Sequence, residues 1–293
     1  MAVYKRNYRP YSGPLTTSSR RFLVVTRYSF AELFSIRFFG SVLVTCFFPA
    51  LVMAFFVYLA HSETVQALLN FQNANLVAIN SQFFIRLLQI EGWFALLLVA
   101  WVGPSLVSSD LANNALPLFL SRPLSRAQYV AGKMTVFFVL LSSFTWVPGL
   151  LIFALQAGLD KGHWVRDNWW IAPAFLSGAL IWIALLSLLA LALSAWVKWK
   201  VLGSLALMAA FFVPAGMGEV FNVVTRMRWG RLLNPGYLIT VIWNDLFRDA
   251  LHFHAASWEN IPVPMAWASL LSMCLLCVWV LNRRLRAREV VRG

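Results

Sequence analysis

Charged residues are scarce in this sequence, where Asp, Glu, Lys and Arg make up only 12% of 293 residues. In soluble domains these four residue types account for about a quarter of the chain. Apolar residues reach 60% and aromatic residues 15%. This composition excludes an ordinary soluble domain and predicts an integral membrane protein.

Acidic residues are scarcer still, with 11 Asp and Glu against 24 Lys and Arg, which gives a net charge of +13. A protein that reads nucleic acid needs its basic residues on an accessible soluble face. Here they lie mostly between and beside apolar runs. We therefore expect no nucleic acid among the partners and attribute the basic excess to membrane topology.

Catalytic motifs are absent from the sequence. Gly132-Lys133 lacks both the following Ser or Thr and the upstream glycine of a phosphate-binding loop. The sequence contains no His-Glu-x-x-His, no Gly-x-Ser-x-Gly and no paired aspartates of a lipid headgroup transferase. We expect no catalytic residue and no cofactor in this chain, which should not be an enzyme by itself.

Cysteine and histidine are also rare. Cys46, Cys274 and Cys277 all lie in apolar runs, which argues against a disulfide framework and favours ordinary core positions. His252 and His254 would share one side of a strand and could bind zinc or copper, but the sequence has only four histidines, so an ordinary wet loop is favoured over a metal site. We predict no metal site.

Long uncharged runs are the dominant positive feature. Six of them lie between charged residues, and each is at least eighteen residues long, close to the twenty that cross a bilayer. They predict an all-α fold with six transmembrane helices. The predicted spans are about 39–60, 88–108, 134–157, 171–196, 201–218 and 262–282, which together form a transmembrane domain over 39–283.

The distribution of Lys and Arg predicts the orientation. If both termini are cytoplasmic, the inner segments hold 17 of the 24 basic residues, so the positive-inside rule predicts an N-in, C-in topology. Residues 1–38 then form a cytoplasmic tail and an interfacial helix from Thr17 to Phe38 that lies partly on lipid and partly against protein. Residues 284–293 form a basic cytoplasmic tail. In the outer loop 219–260, Tyr237 to Ala250 predicts an interfacial or re-entrant helix.

A polar interruption from Gly103 to Lys133 separates the second and third spans. Pro104 and Asp110 break the apolar run, and Asp110 is a candidate N-cap for a short helix that reaches toward Phe119. Two arginines then lie four residues apart around Pro123, a spacing suited to carboxylate or phosphate partners. Contact with anionic lipid headgroups is an alternative for both arginines.

This interruption resembles the first cytoplasmic loop of ABC-2 type transporter permeases. In that loop an acidic residue and a short amphipathic helix precede a Ser-Arg-Pro-x-Ser-Arg-x-x-Tyr-x-x-Gly-Lys pattern that leads into the third span. The pattern is matched here by Ser121, Arg122, Pro123, Ser125, Arg126, Tyr129, Gly132 and Lys133.

The resemblance implies a membrane subunit of an exporter, working as a pair with two separate ATPase chains that bind ATP and Mg²⁺. A coupling helix at about 113–121 would sit in a groove of the ATPase. Further expected partners are a second copy or a homologous permease, membrane lipids and a periplasmic or extracellular protein, and the expected location is the bacterial plasma membrane. The residues expected to shape this loop or contact the ATPase are Asp110, Asn114, Leu118, Phe119, Arg122, Pro123, Ser125, Arg126 and Lys133.

Glu91 is a candidate for the transport pathway because ionisable groups within spans are costly and often functional. Gln89 is its nearest polar neighbour in sequence, and we expect both near the outer end of the second span. Two other functions stay open: an intramembrane enzyme acting on a lipid or isoprenoid, with Glu91, Asp110 and the His252 region as its acids and ligands, and a passive membrane anchor for an ATPase.

Overall fold

The computed structural model describes residues 17, 20–62, 79–112, 125–160, 163–197, 199–248 and 261–284. Within these ranges the chain is helical and forms no strand. The helices of the described part are α1 (Phe22–Ser35), α2 (Phe39–Cys46), α3 (Phe48–His61), α4 (Ser81–Ala112), α5 (Arg126–Phe144), α6 (Trp146–Leu159), α7 (His163–Asn168), α8 (Ile171–Ser194), α9 (Lys200–Thr225), α10 (Pro235–Leu246) and α11 (Val263–Arg284), with a 3-10 helix at Trp229–Leu233.

Six stretches of helix are long and apolar enough to cross a membrane, as the uncharged runs predict. The first combines α2 with α3, and the third combines α5 with α6, which are separated by a break at Thr145. The six stretches are Phe39–His61, Ser81–Pro104, Arg126–Leu159, Ile171–Ser194, Lys200–Thr225 and Val263–Arg283.

The second and fifth of these helices are longer than their predicted spans. Helix α4 begins seven residues before residue 88 and has 32 residues, and α9 has 26. The prediction places helix ends at charged residues, whereas Arg86 is an exposed residue within α4 and Asp110 is paired within it. Pro104 also lies inside α4, where its ring packs against Gly203 of α9.

The helices alternate in direction, so the bundle has two ends. One end, where α4 ends and α5 begins, is called the loop end. The start of α9 lies near this end, because an added Cβ on Gly203 would be 2.8 Å from Pro104 Cβ. At the opposite end the rings of Phe84 and Phe175 are 6.0 Å apart, and Ser269 donates to the carbonyl of Leu232 over 2.8 Å. The loop end therefore gathers the segments predicted to be cytoplasmic.

Helices α4 and α8 form the centre of the bundle, with most of their residues buried. Glycines let neighbouring helices approach closely: an added Cβ on Gly149 of α6 would run into the ring of Phe175, and one on Gly178 would lie 3.0 Å from Trp243 Cδ1. The first, fifth and sixth spans bury only 17–22% of their most apolar windows. Their exposed apolar sides suit lipid or another protein subunit.

Helix α10 overlaps the helix predicted from Tyr237 to Ala250, but it begins two residues earlier and ends at Leu246. Asn234 caps it by accepting a hydrogen bond from the Tyr237 N–H at 3.1 Å, and Pro235 occupies the first turn. With 12 residues the helix is too short to cross a bilayer. Its apolar face, which includes Leu238, Ile242 and Trp243, is buried against the other helices.

Candidate functional site

A cluster of three polar side chains joins the last turns of α4 to the first turns of α5. The Lys133 ammonium lies 2.9 Å from Oδ2 of Asp110, and the Tyr129 hydroxyl donates to the same oxygen over 2.7 Å. The Lys133 nitrogen is also 5.8 Å from the centre of the Tyr129 ring. We call Asp110, Tyr129 and Lys133 the clamp, because they tie together the two helices that residues 113–124 connect.

The local sequence explains why Tyr129 and Lys133 reach Asp110 together. Ser125 and Gln128 form a capping box, in which the Ser125 hydroxyl accepts from the Gln128 N–H at 3.2 Å and the Gln128 side chain accepts from the Ser125 N–H at 2.9 Å. This box starts α5 at Arg126. Tyr129 and Lys133 are then four residues apart on one face of the helix.

The clamp is largely removed from water. Lys133 is 3% exposed, and the Asp110 side chain is 14% exposed. An ammonium group that is buried to this degree requires a partner, since an isolated buried charge costs several kcal/mol. Asp110 supplies that partner, so the ion pair joins the C-terminal end of α4 to the N-terminal end of α5.

Helix α1 docks on the same turn of α5. The Thr26 hydroxyl donates to the carbonyl of Gly132 over 2.9 Å, and an added Cβ on Gly132 would lie 2.8 Å from the carbonyl oxygen of Phe22. Val25, Thr26, Ser29 and Leu33 are the buried residues of α1. Helix α1 thus packs against α5 at Gly132, the residue that precedes Lys133.

Several predicted loop residues lie outside the part of the chain that the structure describes: Asn114, Leu118, Phe119, Arg122 and Pro123. The predicted coupling helix at 113–121 falls in the same gap. Ser125 and Arg126 are described and exposed beside it. Asp110 lies within α4 and does not cap a separate helix, because its carboxylate is engaged by α5. Tyr129, a residue of the motif to which the sequence assigns no role, completes the clamp.

Glu91 lies well inside α4. It follows Ser81 by ten residues, about 15 Å along the helix, which places it deeper than the predicted position near a span end. Glu91 is 0% exposed, and neither carboxyl oxygen has a hydrogen-bond partner among the described residues. A buried carboxyl group without a partner is rare in proteins and marks a functional candidate.

Helix register brings Trp146 to the level of Glu91. The antiparallel pairing of α4 with α5 and α6 is fixed by Asp110 against Tyr129 at one end and by the rings of Phe84 and Phe153, 6.0 Å apart, at the other. Glu91 follows Phe84 by seven residues and Trp146 precedes Phe153 by seven, which is about two turns in each case. By this count Glu91 and Trp146 lie at about the same level along the bundle.

Other buried polar atoms without a partner within the described ranges include the indole Nε1 of Trp146 and the hydroxyl of Ser142. These two residues lie on either side of the break at Thr145 in the third span. The sequence alone could not identify these atoms, because of the three residues only Glu91 is charged.

Gln89 does not accompany Glu91. At 100° per residue the two side chains leave α4 about 200° apart, on opposite faces. Gln89 lines a cavity of about 270 Å³ whose lining also includes Trp93, Trp182 and Trp243 but not Glu91. Two of these indoles are fixed by hydrogen bonds, from Trp182 to the Gly92 carbonyl at 3.2 Å and from Trp243 to the Gly178 carbonyl at 3.0 Å.

The two acids named for the enzyme alternative lie far apart in the structure. Glu91 and Asp110 are nineteen residues apart on one helix, which separates them by about 28 Å. No group of three or more potential metal ligands occurs within the described ranges. His252 and His254 lie outside those ranges. The acids that such an enzyme would combine therefore do not converge.

No protein-family model matches the chain, and no curated protein matches it.

We expect Glu91→Leu to raise the free energy of unfolding by about 1–3 kcal/mol, because it removes a buried polar group that lacks a partner. Thermal or denaturant unfolding in detergent measures the change. Glu91→Gln is the matched control, since it keeps a polar group of the same shape and should recover less stability. Destabilisation by Glu91→Leu would instead show that the carboxyl group has a partner in the native state.

Proposed function

We propose that this chain is the membrane subunit of an ABC-2 type transporter, acting as an exporter in the bacterial plasma membrane. It would work as a pair of six-helix subunits, N-in and C-in, with two ATPase chains beneath the loop end. ATP and Mg²⁺ would be bound by those ATPases, so the subunit would supply motion and a path rather than catalysis. The observation that carries the proposal is the clamp at the base of residues 113–124.

The clamp is suited to transmit force. A soluble partner that displaces residues 113–124 would act on both helix ends that the clamp joins, and the ion pair at 2.9 Å would keep those ends together. The displacement would then move α4 and α5 as one lever. Alternating access of this kind needs rigid elements that rock against a neighbour, and paired helices provide them.

Helix α1 would widen the surface that an ATPase meets. It is held against α5 beside Gly132, and its opposite side carries exposed residues that include Arg27 and Tyr28. Since α1 and the clamp meet on one turn of α5, a partner contacting α1 would act on the same lever. This supports the expected interfacial helix as part of the docking surface.

The path would lie between two copies of the subunit. The first, fifth and sixth spans leave most of their apolar surface uncovered within one chain, and a second copy together with lipid would cover it. The buried interface between α4 and the third span lies inside one subunit. Its Glu91 would then respond to the movement of α4, which carries both Glu91 and Asp110.

We expect Arg122→Glu combined with Arg126→Glu to abolish association with the ATPase while leaving membrane insertion intact, because reversed charges would repel the carboxylates that guanidinium groups select. The tagged chain is purified from its native membrane in mild detergent, and the copurifying ATPase is identified by mass spectrometry and by ATP hydrolysis. Arg86→Glu with Arg166→Glu is the matched control, since both arginines are exposed and lie toward the opposite end.

Two results of this experiment would contradict the proposal. The first is a wild-type preparation that contains no ATPase and hydrolyses no ATP. The second is unchanged association in the Arg122 and Arg126 double variant, which would remove the docking role of the loop. ATP-dependent movement of substrate into or out of liposomes separates a transporter from a passive anchor, because an anchor would copurify with the ATPase and move nothing.

A further inference from the structure

A basic cavity of about 600 Å³ lies where α9 ends, at the opposite end of the bundle from the clamp. Its polar lining consists of Glu219, Asn222, Arg226, Arg228 and Arg231. Three guanidinium groups and one carboxylate give the described lining a net charge of +2. The negative end of the α9 dipole is equivalent to only about half a charge, which is smaller than this net charge of the lining.

The cavity is a built structure. Helix α9 and the 3-10 helix touch backbone to backbone, because an added Cβ on Gly218 or Gly230 would run into the carbonyl oxygen of the other. The side-chain Oδ1 of Asn222 accepts a hydrogen bond from the backbone N–H of Gly230 at 2.8 Å. Arg226 then turns the chain in the left-handed conformation, with φ of 53°. These contacts fix the turn that carries the arginines.

Two of the three guanidinium groups, those of Arg228 and Arg231, are oriented by neighbours. Arg231 donates from Nε to the Glu219 carboxylate over 3.0 Å, and this hydrogen bond raises the pKa of Arg231. Its guanidinium also lies 5.5 Å from the centre of the Tyr237 ring, and that of Arg228 lies 5.3 Å from the Trp229 ring. Arginines held in this way lose less entropy when they bind an anion.

The position of the cavity indicates its ligand. Helix α9 is long enough to cross a membrane, so a pocket at its C-terminal end lies at the depth of the lipid headgroups. Basic residues are unusual on the outer side of a membrane protein, which is where the predicted topology places these three. Guanidinium groups match phosphate oxygens in pairs, and several of them around one cavity suit a phosphate-bearing group.

We propose that this cavity binds a phosphate-bearing group and that an anionic phospholipid headgroup supplies it. Arg226 and Arg228 would contact the phosphate oxygens, while Arg231 would keep its hydrogen bond to Glu219. This proposal does not rest on the proposed transport function, because the cavity shares no residue with the clamp and lies at the other end of the bundle. Free inorganic phosphate carries the same chemistry and is distinguished from lipid by the test.

The test compares wild type with Arg226→Gln/Arg228→Gln in nanodiscs that contain equal amounts of phosphatidylglycerol and phosphatidylcholine. Lipid that remains bound after release into detergent is counted by native mass spectrometry. We expect wild type to retain phosphatidylglycerol in preference and the double variant to retain about tenfold less, since hydrogen bonds to charged groups are the stronger ones. In a second arm, the thermal midpoint of delipidated protein is measured with and without inorganic phosphate.

Arg86→Gln/Arg166→Gln is the matched control, because it removes the same charge from exposed positions outside the cavity. Arg228→Gln alone serves if the double variant fails to fold. A phosphate-dependent rise of the midpoint in wild type only, without lipid retention, would assign the site to free phosphate. Equal retention and equal midpoints in wild type and variant would overturn the proposal, as would an equal loss of lipid in the control.

Discussion

Asp110→Asn should lower the free energy of unfolding by about 3–5 kcal/mol, because it leaves the Lys133 ammonium buried without a counter-charge. Lys133→Met should cost less, since the Asp110 side chain is 14% exposed and keeps the Tyr129 hydroxyl as a donor. The double variant should regain much of the loss, because it removes both charges together. Unfolding of the four proteins in one detergent measures this cycle.

Glu219→Gln is the matched control for this prediction. It also neutralises a paired acid, but the Glu219 side chain is 54% exposed and that of its partner Arg231 is 24% exposed. Exposed pairs contribute about 0–1 kcal/mol, so this variant should be nearly neutral. If Asp110→Asn were no more destabilising than Glu219→Gln, the clamp would not be a buried ion pair in the folded protein.

The same cycle tests the proposed lever. At a temperature where the variants remain folded, loss of the clamp should weaken ATP-dependent transport while leaving ATPase association intact, because residues 113–126 would still present Arg122 and Arg126. Loss of both association and transport would instead place the clamp in the docking surface. The two outcomes separate transmission from binding.

The lengths of the uncharged runs predict the number of spans, because a helix that crosses a bilayer is recognised by its length and apolar composition alone. Charge failed as a guide to where the helices end. Arg86 lies on an exposed side of α4 and Asp110 is neutralised by Lys133, so neither residue ends the helix. Six apolar stretches follow from composition and spacing, whereas the ends of α4 and α9 depend on contacts between distant parts of the chain.

The candidate site divides in the same way. The motif singled out Asp110 and Lys133 separately, but their pairing across twenty-three residues depends on the antiparallel register of α4 and α5. The buried, unpartnered indole N–H of Trp146 could not be foreseen, because its burial depends on packing between helices. Gln89 stands next to Glu91 in sequence yet leaves the helix on the other face.

Gly132→Ala should release α1 from the bundle, because its new methyl group would lie 2.8 Å from the Phe22 carbonyl oxygen and 2.9 Å from Val25 Cβ. The first of these atoms belongs to the backbone, so side-chain rotation cannot relieve the contact. Overpacking of this kind costs about 1–3 kcal/mol. The Thr26 hydroxyl would also lose the Gly132 carbonyl as an acceptor when α1 moves away, and would keep only the Phe22 carbonyl within its own helix.

Limited proteolysis measures this release, since trypsin cleaves after Arg27 only when α1 opens locally. Cleavage should be about 5–150-fold faster in Gly132→Ala than in wild type, the range that corresponds to the overpacking cost. Gly158→Ala is the matched control: no described residue lies within 4 Å of its added Cβ, so it should not destabilise α6 and should leave cleavage unchanged. Cleavage at the wild-type rate in Gly132→Ala would mean that α1 does not rest on Gly132, and the expected joint surface of α1 and α5 would be lost with it.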